Sequence, residues 1–181
     1  MFDTWFEYQY VNRREMNSIC AIHLYRIKAS RRQTIMVEAH EFTTHPICIV
    51  KFYDKDDRNS PNRFTTLTRK GNFSRIFRTC INIMLELKHN NPYMSFAFIG
   101  APTPDEKSQG KVAKTQRYRI YEYGMAQWFS ILHFRHAYID EHSLYMIFNR
   151  DYCDDKEGIE SEMLKSIQEV YPDEPFWTHI V

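Results

Sequence analysis

A basic turn that leads into an amphipathic segment is the first place where this sequence could bind an anion. The turn carries two adjacent cations and a glycine, and the apolar period of the segment begins at Phe73. Exposed amides at a helix N-terminus concentrate about half a positive charge, and phosphates bind there readily. The alternative interpretation is a solvated basic turn. The candidate residues for holding a phosphate-bearing cofactor are Arg69, Lys70, Gly71, Asn72 and Arg75.

Histidine and cysteine, which often carry chemistry, favour structural roles in this sequence. His133 and His136 are three residues apart in a predicted strand and therefore point to opposite faces, while His142 lies in a predicted turn. We therefore expect no zinc site. Cys153 lies beside two aspartates, which raise the pKa of a thiol and oppose its use as a nucleophile.

Composition limits the class of protein. With 181 residues, of which 43% are hydrophobic, we expect a single domain over residues 1–181 with a sizeable core. The 24 Lys and Arg residues balance 23 Asp and Glu residues, so there is no general attraction to nucleic acid or to an anionic membrane. The four cysteines form no Cys-x-x-Cys pair, and no secretory or membrane-spanning apolar run occurs. These features predict a reduced, cytoplasmic protein without metal or membrane partners.

The first third of the sequence is typical of strands. Four segments rich in β-branched and aromatic residues are separated by polar or proline-containing breaks, which predicts an antiparallel meander. Alternation along the third segment places Glu38 and His40 on one face and Glu41 on the other. The four segments are residues 4–11, 18–29, 33–42 and 46–54.

From Phe73 the apolar period changes to that of a helix. Apolar residues recur at steps of three and four, whereas Arg75 and Arg78 fall on the polar side. Asn72 is predicted to cap the first turn of this helix with its side chain. Pro92 is predicted to end it, because the residue before a proline disfavours the helical conformation.

The remainder alternates between strands and helices. The expected fold class is α+β, with helices flanking a largely antiparallel mixed sheet. The predicted helix of residues 115–129 exposes Arg117 and Arg119 and buries a stripe that includes Tyr121. The other predicted elements are a strand at residues 93–100, a polar loop at 101–114, a hairpin at 133–152 and a helix at 157–170.

Several pieces of the second half occur in the order found in one large enzyme superfamily. They are "RFTTLTRKGN", the helix from Phe73, "YMSFAFIG", "TQRYRIYEYGMAQWF" and the closing hairpin. In this order, residues 47–150 resemble the GNAT superfamily of N-acetyltransferases. The family's loop normally reads Gln or Arg, two variable residues, Gly, one variable residue, and Gly or Ala; Thr68 and Phe73 occupy the first and last of these positions here.

The resemblance implies transfer of an acyl group from acetyl-coenzyme A to a small-molecule or protein amine. The start of the Phe73 helix would hold the pyrophosphate, and the strand of residues 93–100 would pair with the pantetheine arm. In the family a tyrosine on the next helix protonates the departing thiolate; Tyr121 is the nearest match, with Tyr123 as the alternative. Glu38 is the candidate base for the acceptor amine, with His40 and Glu41 as alternatives. A catalytically degenerate relative of the same fold is a second form of this hypothesis.

A non-enzymatic binding module is the competing hypothesis. Its basic surface, residues 63–78, would bind nucleic acid or an acidic partner protein beside exposed tyrosines. The apolar segment "PFWTHIV", residues 175–181, would dock on the core or on a partner. The cations of the basic surface are Arg63, Arg69, Lys70, Arg75 and Arg78.

Overall fold

The computed structural model describes residues 4–64, 71–100, 102–111, 113–140 and 143–172. These residues form a seven-stranded, mostly antiparallel sheet with five α-helices, which confirms the predicted α+β class. The strands are β1 (Tyr8–Asn17), β2 (Cys20–Ser30), β3 (Gln33–Phe42), β4 (Ile47–Asp54), β5 (Ser95–Ile99), β6 (Phe134–Ile139) and β7 (Leu144–Asn149). The helices are α1 (Phe73–Asn90), α2 (Pro104–Ser108), α3 (Gln116–Trp128), α4 (Arg150–Cys153) and α5 (Ile159–Val170). None of the helices in the described part of the chain is long and apolar enough to cross a membrane.

The sheet combines a meander with one parallel crossover. Its strand order is β1-β2-β3-β4-β5-β7-β6. The first four strands pair antiparallel with their neighbours, which confirms the predicted meander. Helix α1 connects β4 to β5, which are parallel, and the β6–β7 hairpin places β7 next to β5. The first strand starts at Tyr8 rather than at residue 4, because the preceding Phe6 donates its amide to Thr79 Oγ1 on α1, at 3.0 Å.

Alternation along the strands divides the core between two faces of the sheet. On the α1 face, Val37 and Ala39 belong to a core cluster that includes residues of α1 and α3. On the α5 face, Ile47 and Ile49 pack with residues of α5 and with β7. Glu38 alternates with Val37 and Ala39 and therefore points to the α5 face.

Two arginines predicted to be exposed are buried. Arg78 on α1 is 7% exposed, and its guanidinium carbon lies 3.3 Å from the centre of the Trp128 ring. Arg117 on α3 is 6% exposed and donates to the carbonyl of Phe64. An arginine can bury its stem and stack on an aromatic ring, so the polar side of a helical period is not a reliable sign of exposure here. Arg119 is exposed, as predicted.

The segment predicted as a polar loop contains the short helix α2. A reciprocal capping box begins it: Thr103 Oγ1 accepts from the Glu106 amide at 3.2 Å, and Glu106 Oε2 accepts from the Thr103 amide at 3.0 Å. The pattern Thr-x-x-Glu is the sequence signature of such a cap, and the prediction of a plain loop did not use it.

Candidate functional site

The parallel strands β4 and β5 separate after a short stretch of pairing. Their register pairs are Ile47–Ser95, Cys48–Phe96 and Ile49–Ala97, and no further pair joins them within the described residues. Beyond this point β4 continues to Asp54 along β3, while β5 continues along β7. We call this opening, between residues 50–54 and 98–99, the β4/β5 split. A strand edge without a neighbour can pair with an extended chain that carries amides.

Helix α1 begins with a glycine turn and without a side-chain cap from Asn72. Gly71 has a φ of 70°, in the left-handed region that favours glycine. Asn72 occupies the N-cap position, but its side chain makes no capping hydrogen bond and donates instead to Gln33 Oε1, at 3.3 Å. The predicted cap is therefore wrong, because the Asn72 amide group ties the turn to the start of β3. Among the described residues, the side chain of Asn72 thus leaves the first amides of α1 uncapped.

Of the three cations predicted near the phosphate, only Arg75 lies among the described residues, and it contacts the N-terminal segment. The Arg75 guanidinium lies over the Phe6 ring, 3.8 Å from its centre, and donates to the Trp5 carbonyl at 3.3 Å. Arg75 thus binds the N-terminal segment, although it is otherwise exposed. Arg69 and Lys70 lie outside the described residues. Gly71 and Asn72 directly precede α1, and Arg75 lies in its first turn.

Tyr121 lies in an aromatic cluster on the α1 face of the split. Its ring centre is 5.2 Å from that of Phe77 on α1 and 5.3 Å from that of Phe98 on β5. Phe73 stacks on Phe77 and Tyr121 and contacts Phe52 of β4, with centres 5.9 Å apart. Burial raises the pKa of Tyr121 to about 12, so the phenol keeps its proton at neutral pH. We call these five residues the aromatic cluster.

Helix α3 presents Tyr121 and Tyr123 in different directions. Tyr123 is 57% exposed, whereas Tyr121 is 7% exposed, as expected for residues two positions apart on a helix. Gly124 allows α3 to approach α1, because a Cβ at this position would overlap the Phe77 ring. An isolated glycine inside a helical pattern is a sequence signal for such close packing, and Gly124 is an example of it.

Glu38 lies at the centre of a polar cluster on the α5 face. It is 1% exposed, and its Oε2 lies 2.9 Å from His40 Nε2. Tyr53 donates its hydroxyl to Glu38 Oε1 at 3.2 Å. Arg14 and Arg63 place guanidinium nitrogens 3.5 Å and 3.8 Å from the same oxygen. The Glu38 cluster consists of Glu38, His40, Tyr53, Arg14, Arg63, Lys51 and Tyr171.

The contacts of Glu38 and His40 set their charge states. Burial acts to raise the pKa of Glu38, but the hydrogen bond from His40 and the nearby arginines outweigh it, so the pKa is below its usual value. Burial lowers the pKa of His40, and Lys51 and Arg14 act in the same direction against the opposing effect of Glu38. At neutral pH the pair therefore consists of a carboxylate and a neutral imidazole. Because the carboxylate only accepts, the imidazole proton is on Nε2, and Nδ1 accepts from the hydroxyl of Tyr171.

The structure confirms the predicted arrangement of the three candidate bases. Glu38 and His40 are together, while Glu41 points to the other face and pairs with His23, Oε2 to Nε2 at 2.7 Å. Tyr121 and Glu38 lie on opposite faces, with the sheet between them. Tyr171 was missed by the sequence analysis, because it follows α5 and is 131 positions from His40.

His136 and the four cysteines are packed within the fold. The ring of His136 lies between the hydroxyl of Tyr145 and the carbonyl of Phe129. All four cysteines are free and buried, and burial raises the pKa of each thiol. Within the described ranges, no group of three or more His, Cys, Asp or Glu side chains is arranged to hold a metal ion.

Comparison of this chain with known protein families, curated proteins and solved structures found no match. The features that could form a site are the β4/β5 split, the start of α1, and the two groups of side chains on either face of the sheet.

Proposed function

We propose that this chain is a GNAT-like N-acyltransferase that moves an acyl group from an acyl-coenzyme A, such as acetyl-coenzyme A, to an amine. The observation that carries the proposal is the β4/β5 split, with the start of α1 in the connection between the two strands. The order β4, α1, β5, α3 and the β6–β7 hairpin agrees with the order that the GNAT resemblance implies.

The geometry at the start of α1 is compatible with a pyrophosphate. A Cβ added at Gly71 would meet nothing within 4 Å, so the turn borders open space. Phe73, which replaces the family's small residue, stacks within the aromatic cluster on Phe77. Its ring is thus packed against protein, and the Asn72 side chain does not cap the amides of the first turn, which would suit phosphate oxygens.

The split is compatible with the rest of the acyl donor. Pantetheine is an extended arm with two amide groups, and these would pair with the strand edges at residues 50–54 and 98–99. The thioester supplies an activated acyl group. Tyr121 would then donate its proton to the departing sulfur, a role that suits a phenol whose pKa is about 12.

Nucleic-acid binding through residues 63–78 receives less support. Arg63 lies over the Phe64 ring at 4.5 Å and Arg75 over the Phe6 ring at 3.8 Å. Arg78 is buried against Trp128. Three of the five cations that this hypothesis needs are thus engaged with rings of the same chain, and we do not propose it.

Calorimetric titration with acetyl-coenzyme A and dephospho-coenzyme A tests the binding step. We expect saturable binding that weakens at least about tenfold, or 1.4 kcal/mol, in Gly71→Val. Gly110→Val is a matched control, because Gly110 also has a positive φ, 68°, and open space around it. Absence of heat with every coenzyme A species, or an equal loss in both variants, would reject the proposal.

Release of the coenzyme A thiol in the presence of primary amines tests the chemistry. Tyr121→Phe keeps the ring packing and removes only the hydroxyl, so we expect kcat to fall about 100-fold with unchanged affinity for the acyl donor. Unchanged turnover would remove Tyr121 from the mechanism. Binding without turnover for every amine would identify the catalytically degenerate form of the fold.

A further inference from the structure

We propose that Tyr171, His40 and Glu38 form a proton relay that takes a proton from the acceptor amine on the α5 face of the β4/β5 split. This inference rests on the proposed acyl transfer, and it adds the side from which the acceptor enters. The sequence predicts no acceptor site. It offers Glu38, His40 and Glu41 only as separate candidate bases.

The hydrogen bonds run in one direction through the relay. Tyr171 donates its hydroxyl to His40 Nδ1, and His40 Nε2 donates to Glu38 Oε2 at 2.9 Å. In many enzymes a buried carboxylate accepts a hydrogen bond from an imidazole and so holds the imidazole in one tautomer. Glu38 is placed to do this for His40, which then accepts from the phenol of Tyr171. Further contacts to the carboxylate from Tyr53 and two arginines keep it ionised.

Exposure increases along the relay toward the hydroxyl. Glu38 is 1% exposed and His40 is 4% exposed, whereas Tyr171 is partly exposed at the end of α5. Lys51 Nζ lies 3.9 Å from the centre of the Tyr171 ring. Tyr171 is therefore the most exposed member of the relay, so the relay runs from the phenol inward to the imidazole and the carboxylate.

Strand register places the relay beside the split. His40 is opposite Ile49, which pairs with Ala97 in the last row that joins β4 to β5. Glu38 is opposite Lys51, two positions further along β4, where β5 has already separated. The aromatic cluster with Tyr121 approaches the split from the α1 face. An acyl group held in the split would thus lie between a proton donor on one face and a proton acceptor on the other.

The proton balance of the transfer is complete with these groups. An ammonium acceptor gives one proton to Tyr171 as the phenol gives its own to His40, which becomes an imidazolium beside Glu38. The neutral amine forms a bond to the acyl carbon, and the carbon–sulfur bond breaks. Tyr121 gives its proton to the coenzyme A sulfur, and the second proton, which the amine nitrogen loses as the amide forms, restores the Tyr121 phenol. The first proton leaves His40 for solvent.

The charges around the relay specify the acceptor class. Arg14 and Arg63 face one carboxylate, Glu38. A simple alkylammonium would meet two cations against one anion among these three residues, whereas an amine that also carries a carboxylate offsets this excess. We therefore expect amino acids to be better acceptors than alkylamines of similar size.

Kinetics of Tyr171→Phe test the relay. We expect kcat to fall about 100-fold with the calorimetric affinity for acetyl-coenzyme A unchanged. Tyr152→Phe is the matched control, because Tyr152 Oη lies 3.5 Å from His45 Nδ1 in a second tyrosine–histidine pair that is not beside the split. We expect this variant to keep full activity. Normal coenzyme A binding with equal turnover in both variants, or a preference for alkylamines, would overturn the relay and leave the proposed function standing.

NMR of ¹⁵N-labelled imidazoles tests the relay without any substrate. We expect His40 to be protonated on Nε2 at neutral pH and its Nδ1 resonance to shift in Tyr171→Phe. An Nδ1-protonated tautomer would overturn the relay, because Tyr171 could not then donate to that nitrogen. If no coenzyme A species binds at all, the proposed function fails and its acceptor step fails with it.

Discussion

The two faces of the sheet at the β4/β5 split are stabilised by different forces. The α1 face carries the aromatic cluster, in which the rings stack on one another. The one hydroxyl group of this cluster belongs to Tyr121, and it forms no hydrogen bond with the described residues. The α5 face carries the Glu38 cluster, in which a buried carboxylate is surrounded by hydrogen bonds and cations. Packing on the first face is independent of pH, whereas the second depends on which groups are charged.

One strand supplies both environments. On β3, Val37 and Ala39 enter the α1-face core, while Glu38 and His40 point to the other side. The alternation of strand side chains makes this possible at neighbouring positions. Two sides of one strand of the sheet can therefore hold an apolar environment and a buried, charged one at neighbouring positions.

The largest expected effect is on the packed face. Phe77→Ala removes a ring that is 1% exposed and contacts three other rings of the aromatic cluster and Gly124. We expect the free energy of unfolding to fall by about 3–5 kcal/mol, measured by urea denaturation. The loss should be the same at pH 6 and pH 8.

Leu85→Ala is the control for this prediction on the same helix. Leu85 is 36% exposed, so its truncation should cost less than about 1 kcal/mol. A pH-dependent loss in Phe77→Ala would show that the two faces are coupled and would break the comparison.

The fold was largely predictable because its signals are local. The helical period identified α1, α3 and α5, and the alternation in residues 33–42 placed Glu38 and His40 on one face. Arg78 and Arg117 failed the same reasoning, because their burial depends on rings and carbonyls from distant parts of the chain. These contacts have no signature in sequence spacing.

The candidate site was predictable only in part for the same reason. The turn at Gly71 leads into α1, but the side chain of Asn72 binds Gln33 on β3 instead of capping the helix. Tyr171 joins the Glu38 cluster only because α5 ends above β3. Tertiary packing decides such contacts, whereas propensity and period describe neighbours within about one helical turn.

The second prediction concerns pH and the Glu38 cluster. The pKa of His40 is lower in the folded protein than its usual 6.5, so the unfolded chain binds more protons as pH falls through about 6.5 and stability decreases. The pKa of Glu38 is also lowered, from 4.5; its contribution is present above that pH and is lost on further acidification. We expect the free energy of unfolding, measured by urea denaturation, to fall between pH 7.5 and 5.5 by at most about 1.4 kcal/mol per pH unit for each proton.

His40→Gln should make this fall smaller, whereas His89→Gln, on the exposed end of α1, should not. The free energy of unfolding of His40→Gln should still decrease somewhat as pH falls, because burial also lowers the pKa of His136. An unchanged slope in His40→Gln would show that the Glu38 cluster does not set the acid sensitivity of the fold.

The smallest effects come from two phenol-to-carboxylate hydrogen bonds, one in the Glu38 cluster and one between β1 and α1. Tyr53 donates to buried Glu38 at 3.2 Å, and Tyr8 donates to Glu86 on the exposed side of α1 at 2.8 Å. We expect Tyr53→Phe to lower the free energy of unfolding by about 1.5–2 kcal/mol, because a buried charged acceptor loses a partner. Tyr8→Phe should cost less than about 1 kcal/mol, since water replaces the lost bond. Equal losses at pH 7.5 would mean that burial does not distinguish the two carboxylates, and the contrast between the faces would then lie in packing alone.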